Sequence, residues 1–340
     1  LEVINYESMH KVENKTPDLV IYDEAHTLGG FPKPSQRTKL AKKMFGPIPT
    51  ILMSGTPCAE SMSQLYHQFY VSDFSPFKDY KNFYKWAKYY VNVTKKHLAT
   101  HVINDYSGAI KERVNKDIKP YVIKMTQQDA GLTTKIKENV LTVKLPNELK
   151  KLASRFVNDK AIEGKKGVIL GDTPVKFKSK LHQIYNGHCI IETYENETFT
   201  KVFSDYKAKY IKEHFKGVKI AVMYYYKAEL EILKQVYKSG ITDDVNEFNN
   251  SDKCLAVQQG STEGMNLSKA KYLVYYNLGF SGKNFIQSRD RLTVKDRPTN
   301  EIYFVLEQGG MTRDIYNTVR NKKDFNTQMF NKWLQSSKQS

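Results

Sequence analysis

The chain has 340 residues, of which 40% are apolar and 26% are charged, and its net charge is +17. This length suits two domains of ordinary size, and the apolar content argues against a disordered chain. No apolar run approaches the ~18 residues that a membrane-spanning helix needs, so no membrane segment is predicted. A strongly positive field attracts polyanions, of which nucleic acid is the most common large one. The alternative is a soluble protein from a lysine-rich proteome.

Two apolar segments in the first part of the chain predict β-strands that are followed directly by polar residues. They are 19–22, which precedes Asp23, and 50–53, which precedes Ser54. Continuous apolar runs of roughly four to eight residues are typical of strands buried on both faces of a parallel sheet. We therefore expect both strands in the interior of a parallel sheet.

Residues 62–96 are dense in aromatic side chains, with lysines between them. Spacings of three and four residues between the aromatics predict helices with an aromatic seam. Alternating lysines and aromatics could also stack on and hold nucleic acid, but we favour a helical core. A protein partner that binds at 62–96 is a further alternative.

Strand and helix patterns return in the second part of the chain. Residues 144–174 are rich in Lys, Gly and Asp, and we place the domain junction there. Strands are then predicted at 218–225, 254–257, 272–276 and 302–306, and helices at 228–237 and 283–292. Repetition of strand, turn and helix is typical of doubly wound α/β domains. After Gly310 the chain predicts a final polar helix that braces the domain.

Two carboxylates follow the first predicted strand, in the segment Asp23-Glu24-Ala25-His26. Open α/β sheets bind ligands at this carboxyl edge. One carboxylate could hold Mg²⁺ through water while the other orients the attacking water in phosphoryl transfer. Ser54-Gly55-Thr56-Pro57 follows the second strand, and its hydroxyl groups could contact phosphate or the neighbouring carboxylates. An ordinary strand-exit turn is the alternative for this second segment.

These two segments, DEAH and SGTP, lie about 30 residues apart and resemble motifs II and III of helicase superfamily two. Later segments resemble motif IV at 218–226, motif V at 259–267 and motif VI at 287–291, in the order of the family. Asn5-Tyr6-Glu7, the Asn-Leu that ends motif V and the Gln-x-x-Asp-Arg of motif VI are similar to the Swi/Snf-like branch. Compact phage and bacterial helicases are similar, and the resemblance covers nearly the whole chain.

The resemblance implies an α/β fold of two RecA-like parallel-sheet lobes, the first N-terminally truncated and carrying a helical aromatic-rich insertion. The lobes would close on ATP and Mg²⁺, with nucleic acid across both. Asp23 would bind Mg²⁺ and Glu24 would be the catalytic base, while Gln287 and Arg291 would reach across the cleft, Arg291 as the arginine finger. The residues implied to couple ATP to nucleic acid are His26, Ser54, Gly55, Thr56, Gly264 and Asn266. Those implied to contact nucleic acid are Tyr6, Glu7, Ser261, Thr262 and Tyr224.

Two departures from the family pattern affect these expectations. Motif VI normally has a second Arg three residues after the first, where this chain has Val294. Either Arg297 replaces it from the next turn or the protein depends on Arg291 alone. The sequence Gly-x-x-x-x-Gly-Lys-Ser/Thr, whose backbone and Lys hold the β- and γ-phosphates, occurs nowhere in the 340 residues. We therefore expect the chain to be the C-terminal part of a longer polypeptide, with a naturally shortened paralogue as the alternative.

The expected domains are 1–145, with a helical insertion at about 62–115, and 146–340. The expected function is an ATP-dependent helicase or double-strand DNA translocase, inactive as this chain alone because the phosphate loop is missing. The alternative is a non-catalytic nucleic-acid-binding or scaffold protein with the same fold. DNA is favoured over RNA as the partner, and no membrane is expected.

The chain begins at Leu1 without the basic and apolar segments of a signal peptide, so a cytoplasmic location is expected, either in bacteria or in an infected host cell. The cysteines at 58, 189 and 254 are widely spaced and predict neither a disulfide framework nor a zinc site. His182 and His188-Cys189 lie close in sequence, but no second ligand pair completes a metal site. We interpret them as structural residues.

Overall fold

The structure, a computed structural model, describes residues 1–58, 60–97, 102–125, 129, 135–261, 265, 267–289, 299–321 and 323–337. The chain divides into two compact units, Leu1–Lys124 and Met125–Ser340. This division lies ahead of the predicted boundary after residue 145, because the strand at 135–143 belongs to the sheet of the second unit. Among the described helices, none combines the length and the apolar composition of a membrane span.

The first unit contains a small parallel sheet, a hairpin and helices. Its strands are β1 (Val20–Tyr22), β2 (Thr50–Leu52), β3 (Thr94–His97) and β4 (Val102–Asp105). Its α-helices are α1 (Gln36–Phe45), α2 (Gln64–Tyr70), α3 (Phe83–Tyr90) and α4 (Lys111–Ile118), with 3-10 turns at Tyr6–Val12, Ala25–Leu28 and Lys119–Tyr121. β1 runs parallel to β2, and β3 runs antiparallel to β4.

The prediction that both strands of this parallel pair are buried on both faces is wrong. Ile21 of β1 lies opposite Ile51 of β2, and these side chains are 49% and 46% exposed. Tyr22, on the other face, is buried with Leu28 and Phe45 in a core formed with the 3-10 turns and α1. α1 and the 3-10 turns pack on the Tyr22 face, so the continuous apolar runs are buried on one side only.

The aromatic segment forms the helical core that its spacing predicts. Phe83, Trp86 and Tyr90 lie on the buried face of α3, and the Trp86 ring stacks on Tyr90 with 4.9 Å between ring centroids. Tyr66 of α2 approaches Trp86 to 5.4 Å between ring centroids. The β3–β4 hairpin that joins α3 to α4 is not predicted by the sequence pattern.

The second unit is larger and contains two sheets. Its strands are β5 (Lys135–Val143), β6 (Ala161–Gly164), β7 (Gly167–Leu170), β8 (His188–Glu192), β9 (Thr198–Val202), β10 (Ile220–Tyr224), β11 (Ile241–Thr242), β12 (Cys254–Gln258), β13 (Tyr272–Tyr275) and β14 (Thr299–Glu307). Its α-helices are α5 (Asn147–Asp159), α6 (Pro174–Tyr185), α7 (Tyr206–His214), α8 (Lys227–Tyr237), α9 (Val245–Asn249), α10 (Gly282–Arg289), α11 (Thr312–Val319) and α12 (Thr327–Ser337). A 3-10 turn follows α8 at Lys238–Gly240.

The larger sheet has the strand order β11-β12-β10-β13-β14-β5, and every neighbouring pair in it is parallel. Successive residues of β10 belong alternately to two hydrophobic cores, with Ala221 and Met223 in one and Ile220 and Val222 in the other. Both faces of this sheet are therefore covered, with α7 and α8 on one side and α6, α10, α11 and α12 on the other. The predicted α/β class with a parallel sheet is confirmed.

Residues 144–174 do not form the expected junction but hold α5, β6 and β7. Leu149, Ala153 and Phe156 of α5 are spaced at helical intervals and are buried in the main core of the unit. β6 pairs with β7 around a two-residue turn at Lys165 and Lys166, and β8 and β9 extend this antiparallel sheet. The polar composition around them hides these elements, because the apolar residues of α5 stand singly among charged ones and the apolar run of β7 is only three residues long.

A fully buried ion pair joins α7 to the end of β14. The ammonium of Lys207 donates to Glu307 Oε2 at 2.8 Å and to Asn186 Oδ1 at 2.7 Å. Glu307 also accepts from the backbone N–H and the hydroxyl of Thr312, at the start of α11. Both charged groups are fully buried, so replacing either residue would leave the other charge in the interior without its counter-charge.

We expect Lys207→Met to lower the free energy of unfolding by about 3–5 kcal/mol, because Glu307 would remain buried and uncompensated. Lys209→Met is the matched control: Lys209 lies on the same helix and pairs with Asp205 at 3.0 Å, but its side chain is exposed. That pair should contribute less than about 1 kcal/mol. Urea denaturation measures both values, and equal losses in the two variants would contradict the role given to the buried pair.

Candidate functional site

The parallel pairing of β1 and β2 places the two polar segments that follow these strands side by side. The Met53 N–H donates to the Tyr22 carbonyl at 2.9 Å, and the Ala25 N–H donates to the Met53 carbonyl at 2.8 Å. The ladder therefore continues past both strands and into the loops. Asp23 and Glu24 are thereby fixed beside Ser54.

His26 connects these two loops. Its Nδ1 lies 2.9 Å from Glu24 Oε2 and 3.0 Å from Ser54 Oγ, and the residue is 8% exposed. Ser54 Oγ also accepts a hydrogen bond from the Thr56 N–H at 3.1 Å. The hydrogen bond of Nδ1 is the one to Ser54 Oγ, whereas the Glu24 carboxylate lies against the same nitrogen at ion-pair distance and its Oε2 has no hydrogen-bond partner among the described residues. The structure thus brings together Glu24, His26, Ser54 and Thr56, with Gly55 exposed at the tip of the second loop.

Glu24 has an unusual backbone conformation, with φ 47° and ψ 44°. A residue with a side chain in this left-handed region costs about 1–3 kcal/mol and needs support from its surroundings. Asp23 provides part of that support, because its Oδ1 accepts from the Glu24 N–H at 2.9 Å. The strained turn holds one carboxylate towards His26 while Asp23 stays exposed to solvent.

Tyr6 packs against the same turn from the 3-10 segment near the start of the chain. Its hydroxyl donates to the Asp23 carbonyl at 2.7 Å, and its ring stacks on Tyr22 with 6.2 Å between centroids. The Arg37 guanidinium lies 5.0 Å from the Tyr6 ring centroid and forms an ion pair with Glu7. Burial raises the pKa of Tyr6, against the opposing effects of the Thr27 hydrogen bond and Arg37. Tyr6 therefore supports the backbone that carries Asp23.

The groups at this edge fit a metal that is held jointly with phosphate. Mg²⁺ bound to a nucleotide usually needs only one or two protein carboxylates and keeps several waters. Asp23 offers an exposed carboxylate, and the buried Thr56 Oγ1 has no hydrogen-bond partner among the described residues. Across the described parts of both units, no cluster of three or more His, Cys, Asp or Glu side chains could form a metal cage.

The predicted residues of the second unit are described only in part. Ser261 is exposed just beyond β12, and its N–H donates to the Gln258 carbonyl at 2.9 Å. Gln287 is half-buried on α10, and Tyr224 is buried at the end of β10, where burial raises its pKa. The remaining predicted residues of this unit lie outside the described residues, namely Thr262, Gly264, Asn266 and Arg291, together with Val294 and Arg297.

A small cavity of about 100 Å³ opens at the carboxyl edge of β10, β12 and β13. Buried Gln259 lines it and accepts from the Gly279 N–H at 2.7 Å through Oε1. Its Nε2 has no partner among the described residues. In the sequence, Gln259 stands out only as the first residue of the segment that resembles motif V. A pair of amides directly after a buried strand is the signal that could have identified it.

Glu229 is a second buried group at this edge that is not among the predicted site residues. Its Oε2 accepts from the backbone N–H groups of Tyr225 and Tyr226 at 2.8 and 3.0 Å, and its Oε1 accepts from Asn277 Nδ2 at 2.6 Å. Burial raises the pKa of Glu229 to about 7, although these three donors act in the opposite direction. Its position in the first turn of α8 is the signal for a capping carboxylate.

The two neighbouring histidines of the sequence analysis lie buried behind this carboxylate. His182 Nδ1 lies 3.1 Å from the Tyr226 hydroxyl, and its ring packs 4.8 Å from Phe280 between centroids. Burial lowers the pKa of His182 well below its usual value and that of His188 to about 4. Both rings are therefore neutral near pH 7, as packed core side chains.

No protein-family model matches the chain, and no curated protein matches it. It is similar to the Sulfolobus solfataricus SWI2/SNF2 ATPase core in complex with dsDNA, with 12% identity, coverage of 98% of this chain and 74% of that one, and a TM-score of 0.38. The SWI2/SNF2 ATPase core domain of the same organism aligns with 13% identity, 95% and 69% coverage, and a TM-score of 0.38.

The crystal structure of the C-terminal part of the Fun30 ATPase domain aligns with 12% identity and a TM-score of 0.33. That alignment covers 39% of this chain and spans about half, 52%, of the Fun30 structure. Because all three TM-scores are below 0.5, we base the functional proposal on the residues of this chain.

We expect the carboxyl group of Glu229 to make stability depend on pH between about 4.5 and 7. In this window the folded protein keeps the proton and the unfolded chain releases it, so the free energy of unfolding falls as pH rises. Relative to Glu229→Gln, the wild-type protein should lose roughly 3 kcal/mol across the window. Urea denaturation at several pH values gives both curves, and parallel curves would contradict the raised pKa.

Proposed function

We propose that this chain is the part of an ATP-dependent nucleic-acid translocase that carries the hydrolytic carboxylates and their link to the neighbouring strand loop. The supporting observation is the position of His26, whose Nδ1 contacts Glu24 on one loop and Ser54 on the other. A structural turn needs no such bridge between a carboxylate and a hydroxyl of the next strand. Two RecA-like lobes of a Swi/Snf-like helicase are the architecture that we propose for the two units.

Asp23 and Glu24 have environments that suit different roles in hydrolysis. Asp23 is exposed and would hold Mg²⁺ through water, while Glu24, less accessible and oriented by His26, would accept the proton of the attacking water. Bound Mg-ATP would supply the phosphoryl group and the charge that neutralises its oxygens. The Thr56 hydroxyl, which has no partner among the described residues, would be available to that nucleotide.

His26 would couple the two loops because one ring nitrogen contacts an acceptor on each. A shift of Ser54 would move the His26 ring that is hydrogen-bonded to its Oγ, and with it the nitrogen that lies 2.9 Å from the Glu24 carboxylate. Nucleic acid that displaces the loop at Ser54, Gly55 and Thr56 would thus alter the position of the catalytic base. This gives a physical route by which binding of nucleic acid would stimulate hydrolysis.

The roles of the second unit follow from the motif resemblance and stay proposals. Arg291 would stabilise charge on the γ-phosphate, with Gln287 beside it. The residues that we propose for nucleic-acid contact or coupling in this unit are Tyr224, Ser261, Thr262, Gly264 and Asn266. Tyr6 and Glu7 would contact the same strand from the first unit, and DNA is the partner that we favour. We propose that the protein acts in the cytoplasm.

We expect Glu24→Gln to lower nucleic-acid-stimulated ATP hydrolysis by about 10²- to 10⁴-fold, because a positioned base contributes that much to a proton transfer. The measurement is steady-state hydrolysis by the natural polypeptide that contains this chain. Glu60→Gln is the matched control, since Glu60 is an exposed carboxylate of the same unit without an ion pair among the described residues. Its rate should equal that of the wild-type protein.

An unchanged rate in the Glu24→Gln variant would contradict the proposal. Absence of hydrolysis in the wild-type polypeptide, together with salt-sensitive nucleic-acid binding that Mg-ATP does not alter, would instead support the non-catalytic binding protein. The two functions are therefore separated by the response to ATP and not by binding itself.

A further inference from the structure

The positive charge of the first unit is concentrated in one segment. Residues 1–80 contain eight Lys or Arg and nine Asp or Glu, whereas residues 81–121 contain nine Lys or Arg and only three Asp or Glu. A lysine-rich proteome would spread basic residues over both segments. The local excess therefore indicates a polyanionic ligand for the surface formed by α3, the β3–β4 hairpin and α4.

The cations of this segment are available to such a ligand. All nine are exposed, and none forms an ion pair with another described residue. In residues 1–80, by contrast, Arg37, Lys42 and Lys43 are each paired with a carboxylate. Cations that are already neutralised contribute little to phosphate binding, so the contrast favours 81–121.

The exposed side of α3 combines these cations with two aromatic rings. Successive residues of an α-helix are rotated by about 100°, which places the buried and exposed residues of α3 on opposite sides. The buried side consists of Phe83, Trp86, Ala87 and Tyr90. The exposed side carries, in order around the helix, Tyr84, Lys88, Lys85 and Tyr89, and we call these four residues the tyrosine–lysine face.

Both tyrosines of this face are placed so that bases could stack on them. Tyr84 and Tyr89 are 43% and 50% exposed. The Arg113 guanidinium of α4 lies 4.8 Å from the Tyr89 ring centroid and donates to the Tyr89 carbonyl at 2.6 Å, which orders that end of the face. Tyr106 packs edge-on against Tyr84 at 5.8 Å between centroids and orders the other end.

We propose that the tyrosine–lysine face binds single-stranded nucleic acid. Exposed rings provide stacking surfaces for unpaired bases, and the lysines between them can contact the phosphates that join those bases. A duplex keeps its bases stacked on one another and would use only the cations. A protein partner would also bury the rings, and the crosslinking experiment below separates it from a strand. This binding of nucleic acid needs no ATP and does not depend on the proposed ATPase function.

Fluorescence anisotropy with labelled oligo-dT of about 20 nucleotides tests the proposal on the full chain without ATP. We expect Tyr84→Ala/Tyr89→Ala to weaken binding on the order of tenfold or more with an unchanged salt dependence, because stacking is lost and charge is kept. Lys85→Gln/Lys88→Gln should weaken binding and reduce the slope of log K against log salt by about 1.4, for two lost phosphate contacts.

Three controls make the result specific. Tyr84→Phe/Tyr89→Phe keeps the rings and should bind within about twofold of the wild-type protein. Lys33→Gln/Lys39→Gln removes two exposed lysines of the neutral segment and should leave binding unchanged. All substituted residues are exposed, so we expect every variant to fold. Circular dichroism melting curves check this.

Crosslinking of oligo-dT by ultraviolet light, followed by mass spectrometry, locates the contact independently. We expect the crosslinked peptide to contain Tyr84 or Tyr89. Wild-type affinity in the alanine variant would overturn the proposal, as would an equal loss of affinity for a duplex of the same length. Equal losses in the Lys33→Gln/Lys39→Gln control would show that general charge, and not this face, binds the strand. A failed ATPase test would leave these outcomes unaffected.

Discussion

Parallel pairing of neighbouring strands is the constraint on which both candidate regions depend. In-register hydrogen bonds between β1 and β2 bring their following loops to one edge, where His26 contacts Glu24 and Ser54. In the second unit, β10 pairs in parallel with both β12 and β13, and the residues after these strands line one cavity. Because parallel strands end at the same edge of a sheet, residues that are far apart in the sequence become neighbours there.

The second unit keeps its polar edge ordered with buried ionisable groups whose partners lie on other elements. Glu229 of α8 accepts from Asn277 beyond β13, and Lys207 of α7 pairs with Glu307 at the end of β14. Each carboxylate is costly to bury but is satisfied by several donors, so its loss would leave others unpaired. These contacts join helices on one face of the sheet to loops at its edge. Stability and the geometry of the edge therefore depend on the same residues.

The sequence predicts strands whose apolar residues are continuous and motifs that follow such strands directly. β2 and β12 and the turn at Asp23 and Glu24 are found this way. It does not predict β5 or the β6–β9 sheet, because β5, β6 and β9 mix polar with apolar residues and the apolar runs of β7 and β8 are only three residues long. The exposure of Ile21 and the raised pKa of Glu229 cannot be predicted from the sequence either, since both depend on which elements pack around the residue. Local patterns carry no information on that packing, whereas the two sides of α3 follow from helical spacing alone.

The central claim is that His26 couples the loop at Ser54 to the carboxylate of Glu24, and a double-mutant cycle tests it most directly. The measured quantity is the factor by which nucleic acid stimulates ATP hydrolysis in His26→Ala, Ser54→Ala and the double variant. We expect each single variant to lower this factor about tenfold or more, a typical coupling energy of ~1–3 kcal/mol, and the double variant to lower it no further. Wild-type stimulation in both single variants, or losses that add in the double variant, would contradict the account.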